Sequence, residues 1–292
     1  MTKEKEELGK SIEEEKNLKE LDIEEKLELE KDIITDIPLE KKENLEVKEK
    51  IEKKDGIGKE IEGWTPKTEI GKKVKAGIIS NIDEILDYGK PILESEIVDF
   101  LIPNLKNELL LVGQSKGKFG GGARRIFKQT QKKTPEGNKP SFSCVAVVGN
   151  ENGYVGIGFG KSKDTVPARE KAIRNAKLNI FKVRRGCGSW ECNCKTPHSI
   201  PLEVEGKCGS VNIKLLSAPK GKGLCVESEC GKILKIAGIK DVWSKSSGQS
   251  RVKTNLVKAL IKALKKLSSY KISQDFGEKV GLIDGKIMEK EQ

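Results

Sequence analysis

The chain has 292 residues, 35% of them charged, and a net charge of +11, so it can hold two domains of ordinary size only if part of it lies outside any core. The charge is uneven: residues 1–54 carry 13 Lys and 19 Asp or Glu, net −6, which leaves +17 on residues 55–292. A body this basic attracts polyanions, and a membrane partner is disfavoured because the longest apolar runs, 108–112 and 145–148, fall far short of the roughly 20 residues of a bilayer span.

Residues 1–60 are rich in Lys and Glu, with pairs four apart such as Glu6 with Lys10 and Glu15 with Lys19, a spacing that supports a solvated helix. The composition predicts a disordered or transiently helical extension, and it carries no apolar stretch that would serve as a signal or transit segment. The seven Cys then read as thiols or metal ligands in a reducing compartment, not as disulfides.

Residues 61–103 form a basic lead-in. Trp64-Thr-Pro-Lys-Thr and Gly71-Lys-Lys read as extended, followed by a short helix through Leu86 capped by Asn81 or Asp83, and a second over 94–101 ended by Pro103. A strand over 105–112 leads to a loop of Gly, Lys and Arg at 113–125. The runs 142–148 and 154–159 are apolar and β-branched, joined by Gly149-Asn-Glu-Asn-Gly153, which predicts a hairpin. Asp164 or Thr165 caps a helix running to about Val183, with Ile173, Ala176 and Ile180 on one stripe and Arg169, Lys171, Arg174 and Lys177 away from it. Residues 104–186 thus form one α+β unit. A Cys-rich connector at 187–199 follows. The second unit, 200–270, has strands at 200–205 and 211–216, a Lys-Gly loop at 219–223, a helix at 227–237, a strand at 241–244 and a helix at 251–267. Its order is β-β-α-β-α, with helices on one sheet face, and residues 271–292 form a tail.

Gly156-Ile-Gly-Phe-Gly160-Lys-Ser invites a nucleotide-binding reading but fails both tests. A phosphate loop needs Gly where Val155 stands, and the dinucleotide pattern needs Gly where Lys161 stands. Small residues on one strand instead allow close approach of a backbone, either a packed helix or an RNA sugar-phosphate chain. Lys116-Gly-Lys118-Phe-Gly-Gly-Gly-Ala-Arg124-Arg125 and Lys220-Gly-Lys222-Gly join pliant backbone to cationic groups suited to phosphate oxygens. Arg184-Arg185 and Lys161-Ser-Lys163 repeat the theme. Aromatic residues are 4% of the chain and are not interleaved with these clusters, so phosphate and shape are read rather than stacked bases. The RNA-binding candidates are Lys116, Lys118, Arg124, Arg125, Lys128, Lys161, Lys163, Arg169, Lys171, Arg174, Arg184, Arg185, Lys220 and Lys222.

Cys187, Cys192, Cys194 and His198, the only His of the chain, fall within twelve residues. Three thiolates and an imidazole complete a tetrahedral structural zinc site, although Cys-x-Cys spacing strains two ligands onto one ion and the paired Cys-x-x-Cys knuckles of common zinc modules are missing. Reduced, partly buried thiols are the alternative. No acid, base and nucleophile arrangement accompanies this cluster, and the motif of a zinc deaminase is missing. The chain therefore reads as an RNA-binding protein and not as an enzyme.

These residues also carry a resemblance. Nine blocks fall in order over about 200 residues: Trp64-Thr-Pro-Lys-Thr, Glu96-Ile-Val-Asp-Phe-Leu, Val147-Val-Gly-Asn with Gly153-Tyr-Val-Gly, Lys171-Ala-Ile-Arg-Asn-Ala-Lys-Leu-Asn, Arg184-Arg-Gly-Cys-Gly-Ser-Trp-Glu-Cys, Pro197-His-Ser-Ile-Pro, Lys207-Cys-Gly-Ser-Val, Ala218-Pro-Lys-Gly-Lys-Gly-Leu and Ala237-Gly-Ile-Lys-Asp-Val-Trp. Together they resemble the small-subunit ribosomal protein S five family, called S two in eukaryotes, in its archaeal form. The resemblance implies an N-terminal domain like a double-stranded-RNA-binding fold and a C-terminal domain with a left-handed β-α-β crossover. It also implies a cytoplasmic place in the ribosome on small-subunit rRNA, near the mRNA entry channel, beside proteins of the S three, S four and S eight families, with roles in assembly and decoding accuracy. By motif position Arg124, Arg125, Arg184, Arg185, Lys220 and Lys222 become rRNA contacts. Two departures stand out: residues 120–139 are longer and more basic than the loop expected there, and the extension before Trp64 matches nothing in the family. Other readings of the same residues are a free double-stranded-RNA-binding regulator and a zinc-dependent RNA-processing enzyme.

Overall fold

Two sheets, the first antiparallel and the second mixed, each backed by a helix, organise the described residues. The computed structural model describes residues 64–102, 104–115 and 122–285; the expectations for residues 1–60 and for Lys116 and Lys118 lie outside them. Three short helices come first, α1 (Glu69–Lys75), α2 (Ile82–Asp87) and α3 (Ser95–Leu101). The stretch around Gly71 is thus helical rather than extended. Thr68 accepts a hydrogen bond from the Gly71 amide and starts α1, and the Glu94 carboxylate gathers Trp64 Nε1 at 2.8 Å, the Lys67 amide at 2.9 Å and the Thr68 amide at 2.6 Å. Asp83 is not a cap: it accepts a hydrogen bond from Tyr154 Oη at 2.8 Å, tying α2 to the first sheet.

That sheet contains β1 (Lys106–Leu109), β2 (Lys128–Thr134), β3 (Gly137–Gly149), β4 (Tyr154–Ser162) and β5 (Ile180–Lys182). The long β3 pairs with β2 through its first half and with β1 through its last residues, so both share one edge, while β4 and β5 follow on the other. The predicted hairpin at 149–153 is present, with β3 and β4 in register from Phe142↔Ser162 to Gly149↔Val155. Within the long 120–139 segment, residues 128–139 are not a loop. They contain β2, the two-residue turn Pro135-Glu136 and the start of β3, with Thr134 opposite Gly137. Every β2 residue up to Lys133 is exposed, so this ribbon lacks the apolar alternation by which a half-buried strand is recognised.

Helix α4 (Thr165–Leu178) packs on this sheet and is shorter than expected; Ile180 begins β5 instead. Its buried stripe is Ala168, Ala172 and Ala176, one residue out of phase with the predicted stripe at Ile173. The reason lies across the interface: a Cβ on Gly156, Gly158 or Gly160 would come within 2.2 Å of the carbonyl oxygens of Ala176, Ala172 and Ala168 respectively. The glycines of β4 therefore serve the packed helix and not a nucleotide.

After β6 (Arg184–Arg185) and the Cys-rich connector, the second sheet holds β7 (Val204–Cys208), β8 (Val211–Ser217), β9 (Leu224–Cys225) and β10 (Val242–Ser247) in the order β7-β8-β10-β9. Helix α5 (Ser228–Ile236) joins β9 to β10, which run parallel, so this is a β-α-β crossover. The brief β9 was too short to show in the sequence. Helix α6 (Lys253–Ser269) covers the sheet, and a Cβ on Gly206 of β7 would meet the Ala259 carbonyl oxygen at 2.2 Å, which repeats the glycine–alanine device. The expected tail is structured to residue 285: α7 (Gln274–Val280) leads into β11 (Ile283–Asp284), which pairs with β6.

The architecture is α+β, as the sequence predicts. One apolar cluster runs from Leu110, Val145, Val147, Val155 and Ile157 of the first sheet through Ile233 and Leu234 to Leu256, Leu260 and Leu264 of α6. A second joins the leading helices to Tyr154 and Ile180. No helix among the described residues is long and apolar enough to cross a membrane.

Candidate RNA-binding surface and metal centre

The connector brings its four chemical groups together. The ligand atoms of Cys187, Cys192, Cys194 and His198 all lie within 4.8 Å of one another. For tetrahedral zinc with Zn–S bonds of about 2.3 Å, neighbouring sulfurs sit about 3.8 Å apart, so a small contraction closes the site. Cys192 Sγ is already 3.9 Å from His198 Nε2. The opposite ring nitrogen, Nδ1, meets Asp241 Oδ2 at 2.8 Å, and both residues are buried. This leaves Nε2 facing the thiols, the arrangement in which a carboxylate orients a metal-binding imidazole.

The thiols are electronically unequal. Burial first, then the Cys194 and Cys192 groups nearby, push the Cys187 thiol up to about 11. Burial pushes Cys194 up as well, but hydrogen bonds from Thr196 and from the other two cysteines outweigh it and bring that thiol down to about 6. Cys194 is thus the more readily ionised sulfur of the two. Lys195, between Cys194 and His198, takes a left-handed φ of 52°.

The basic candidates divide among three places. Lys128, Ser143 and Lys161 lie in one row across β2, β3 and β4. They line a cleft with Phe159 and Thr254, which adjoins a larger one of about 540 Å³ holding Arg124, Lys128, Arg251 and Lys253. No carboxylate lines either cleft among the described residues. Arg124 is held there by a 2.9 Å hydrogen bond to the Arg251 carbonyl oxygen, and α6 begins at the same place with no side-chain cap on its first amides, which adds partial positive charge. The second place is the outer face of α4, where Arg169, Lys171 and Arg174 are exposed, with Lys163 just before it. The third is the Pro219–Gly223 turn region, with Lys220 and Lys222 exposed. The sequence reading missed Arg251 and Lys253, and it missed that Lys132, Lys133 and Lys139 stand on an exposed β-ribbon.

Comparison with known proteins bears on what this arrangement is. Residues 126–184 match the family model described as ribosomal protein S5, N-terminal domain, and residues 206–276 match ribosomal protein S5, C-terminal domain. A protein of Nanoarchaeum equitans named small ribosomal subunit protein uS5 is 50% identical over 230 residues, covering 79% of this chain and 99% of that relative. The chain belongs to the ribosomal protein S5 family. Relatives of the same printed name from Methanocaldococcus jannaschii, 46% identical over 78% of this chain and 98% of the relative, and from Thermofilum pendens, 50% identical over 70% and 93%, agree.

On the S5 frame, the N-terminal match spans β2 to β5 and the C-terminal match spans most of β7 through α6 and into α7. The Cys/His centre falls between the two. So does Arg185, for which the structure corrects the sequence reading. Arg185 is 2% exposed, and its Nη2 donates to Asn152 Oδ1 at 2.9 Å and to the Gly285 carbonyl oxygen at 2.9 Å. Its guanidinium pins the β3–β4 turn to the C-terminal segment and is out of reach of a phosphate at the surface. Arg184, half-buried, is held by the Asp284 carboxylate through two hydrogen bonds and by the Tyr270 carbonyl oxygen. Two adjacent arginines looked like a basic patch because nothing nearby in sequence reveals partners a hundred residues away.

Proposed function

We propose that this chain is a structural constituent of the small ribosomal subunit that binds small-subunit rRNA. The observation that carries the reading is the gathering of Arg124, Lys128, Lys161 and Arg251 along two adjoining clefts whose linings hold no carboxylate in a chain of the S5 family; Lys253 beside them is paired with Glu227. Such converging cations attract phosphates and gain from counterion release. The exposed ribbon, the α4 face and Lys220 with Lys222 supply further phosphate contacts. The family resemblance adds the setting: the cytoplasmic ribosome near the mRNA entry channel, with neighbours of the S three, S four and S eight families, and roles in assembly and decoding accuracy.

On this reading the chain catalyses no reaction, and incubation with structured RNA should yield neither cleavage nor base modification. Binding of the full chain to a small-subunit rRNA transcript tests the interface. Changing Lys128, Lys161 and Arg251 together to Ala should weaken binding and reduce the slope of log affinity against log salt by about 0.7–0.9 for each phosphate no longer neutralised; an unchanged slope would remove the cleft from the interface.

The Cys187, Cys192, Cys194 and His198 centre holds a structural zinc ion that pins the connector between the two sheets. Its support is the clustering of the four ligand atoms with a carboxylate on the far nitrogen of His198. Metal analysis of reduced protein should find a single zinc per chain, and Cys192→Ser should lower both the zinc content and the melting temperature. Well under one zinc per chain would refute this assignment.

A further inference from the structure

The buried carboxylate of Asp241 has a use beyond His198. While Oδ2 meets His198 Nδ1 at 2.8 Å, Oδ1 accepts the amides of Gly221 at 3.0 Å and Gly223 at 2.8 Å. These two amides belong to the loop that exposes Lys220 and Lys222. Both glycines take left-handed φ values, 90° and 71°, with nothing within 4 Å of an added Cβ, so no side-chain packing at these positions shapes the loop. Apart from the Asp241 bonds, the loop amides make only a long contact from Lys222 to the Pro219 carbonyl oxygen at 3.4 Å. Asp241 is itself fixed from the metal side, because the amides of Lys240 and Asp241 donate to the His198 carbonyl oxygen at 2.9 and 3.1 Å. One carboxylate therefore stands between the Cys/His centre and a cationic loop.

We infer that Asp241 is a positioning residue that couples the metal centre to the Lys220–Lys222 loop, so that metal loading presets this loop for phosphate. The inference rests on the zinc and rRNA readings above. A metal ion on Nε2 leaves Nδ1 as the donor and fixes the ring plane. With the ring fixed, Oδ2 is fixed, and Oδ1 on the same rigid carboxylate is then placed to hold both glycine amides. Without the metal, the imidazole is restrained on one side only, and the loop can exchange its Asp241 bonds for water. Lys220 and Lys222 then lose their preset spacing, and binding must supply the ordering that metal otherwise provides.

Hydrogen exchange on the full chain tests this, with zinc as the probe: loaded protein, chelator-stripped protein and protein reloaded with zinc are compared. Stripping should speed exchange at Gly221 and Gly223 by about 10-fold or more, reloading should reverse it, and the core amides of Leu234 and Leu260 should not change. The Asp241→Asn variant keeps the size of the side chain. It should weaken zinc binding by about 10–100-fold and, at saturating zinc, still show fast exchange at the two glycines and reduced affinity for an rRNA transcript. A single bound zinc per chain with Gly221 and Gly223 exchange indifferent to its removal would overturn the coupling and leave the metal centre standing. Failure to bind zinc would overturn both. If the core amides of stripped protein also exchanged fast, the Asp241→Asn variant at saturating zinc decides, and wild-type protection of the two glycines in that variant would overturn the inference.

Discussion

Gly158 stands where the first sheet packs tightly on its helix, and a Cβ there would lie 2.1 Å from the Ala172 carbonyl oxygen. Backbone cannot yield as a flexible side chain does, so Gly158→Ala should destabilise the fold by about 1–3 kcal/mol or more, measured as a lowered midpoint in denaturant; an unchanged midpoint would mean that helix and sheet are not packed this tightly. Arg185 calls for a different test. Since its guanidinium serves Asn152 and the buried Gly285 carbonyl, Arg185→Ala should cost about 1–3 kcal/mol of stability through the loss of these hydrogen bonds, while leaving the salt dependence of RNA binding as it is. A shallower salt slope with stability intact would return Arg185 to the interface. Glu227 gives a pH signature. Burial pushes its carboxyl up, but Lys253, the Cys230 amide and the Ser228 hydroxyl hold it below the ordinary carboxylate range. A depressed folded-state value contributes stability that is present above the unfolded value and is lost as pH falls through the folded one. Glu227→Gln should therefore lower stability at neutral pH and flatten its fall in acid; parallel curves for the two proteins would contradict this.

At the level of elements, legibility followed burial. The β3–β4 hairpin was readable because its strands are buried and its turn is rich in Gly and Asn. Helices α5 and α6 were readable because each carries a clear apolar face. The β2 ribbon was not, because both its faces meet solvent and its residues are Lys, Gln and Thr. The α4 stripe was misphased because alanines, not Ile173, face the glycines of β4. The β6–β11 pair joins residues a hundred positions apart, and no local pattern announces such a contact. The Cys/His cluster was visible from spacing, whereas Asp241, 43 residues beyond His198, was not. The ribbon yields its own prediction: Lys132, Lys133 and Lys139 changed together to Ala should weaken RNA binding while stability stays within about 0.5 kcal/mol of the parent, as expected for exposed positions. A large drop in stability would show that the ribbon belongs to the core instead.

For the molecule as a whole, charge segregation explains why composition alone understated the function. The acidic first 54 residues offset a body whose cations Arg124, Lys128, Lys161 and Arg251 gather along clefts lined by no carboxylate among the described residues, beside α6. A single apolar cluster runs beneath both S5 domains, so the basic groups contributed by β2, β4 and α6 keep their spacing and can meet an RNA surface as a preset array. The proposed role has this array fasten the chain to the small ribosomal subunit. Sedimentation of cell extract through a gradient at moderate salt measures this: the protein should travel with the small subunit and remain there, at close to one copy per particle, whereas a protein found mainly in the soluble fractions would overturn the proposed role.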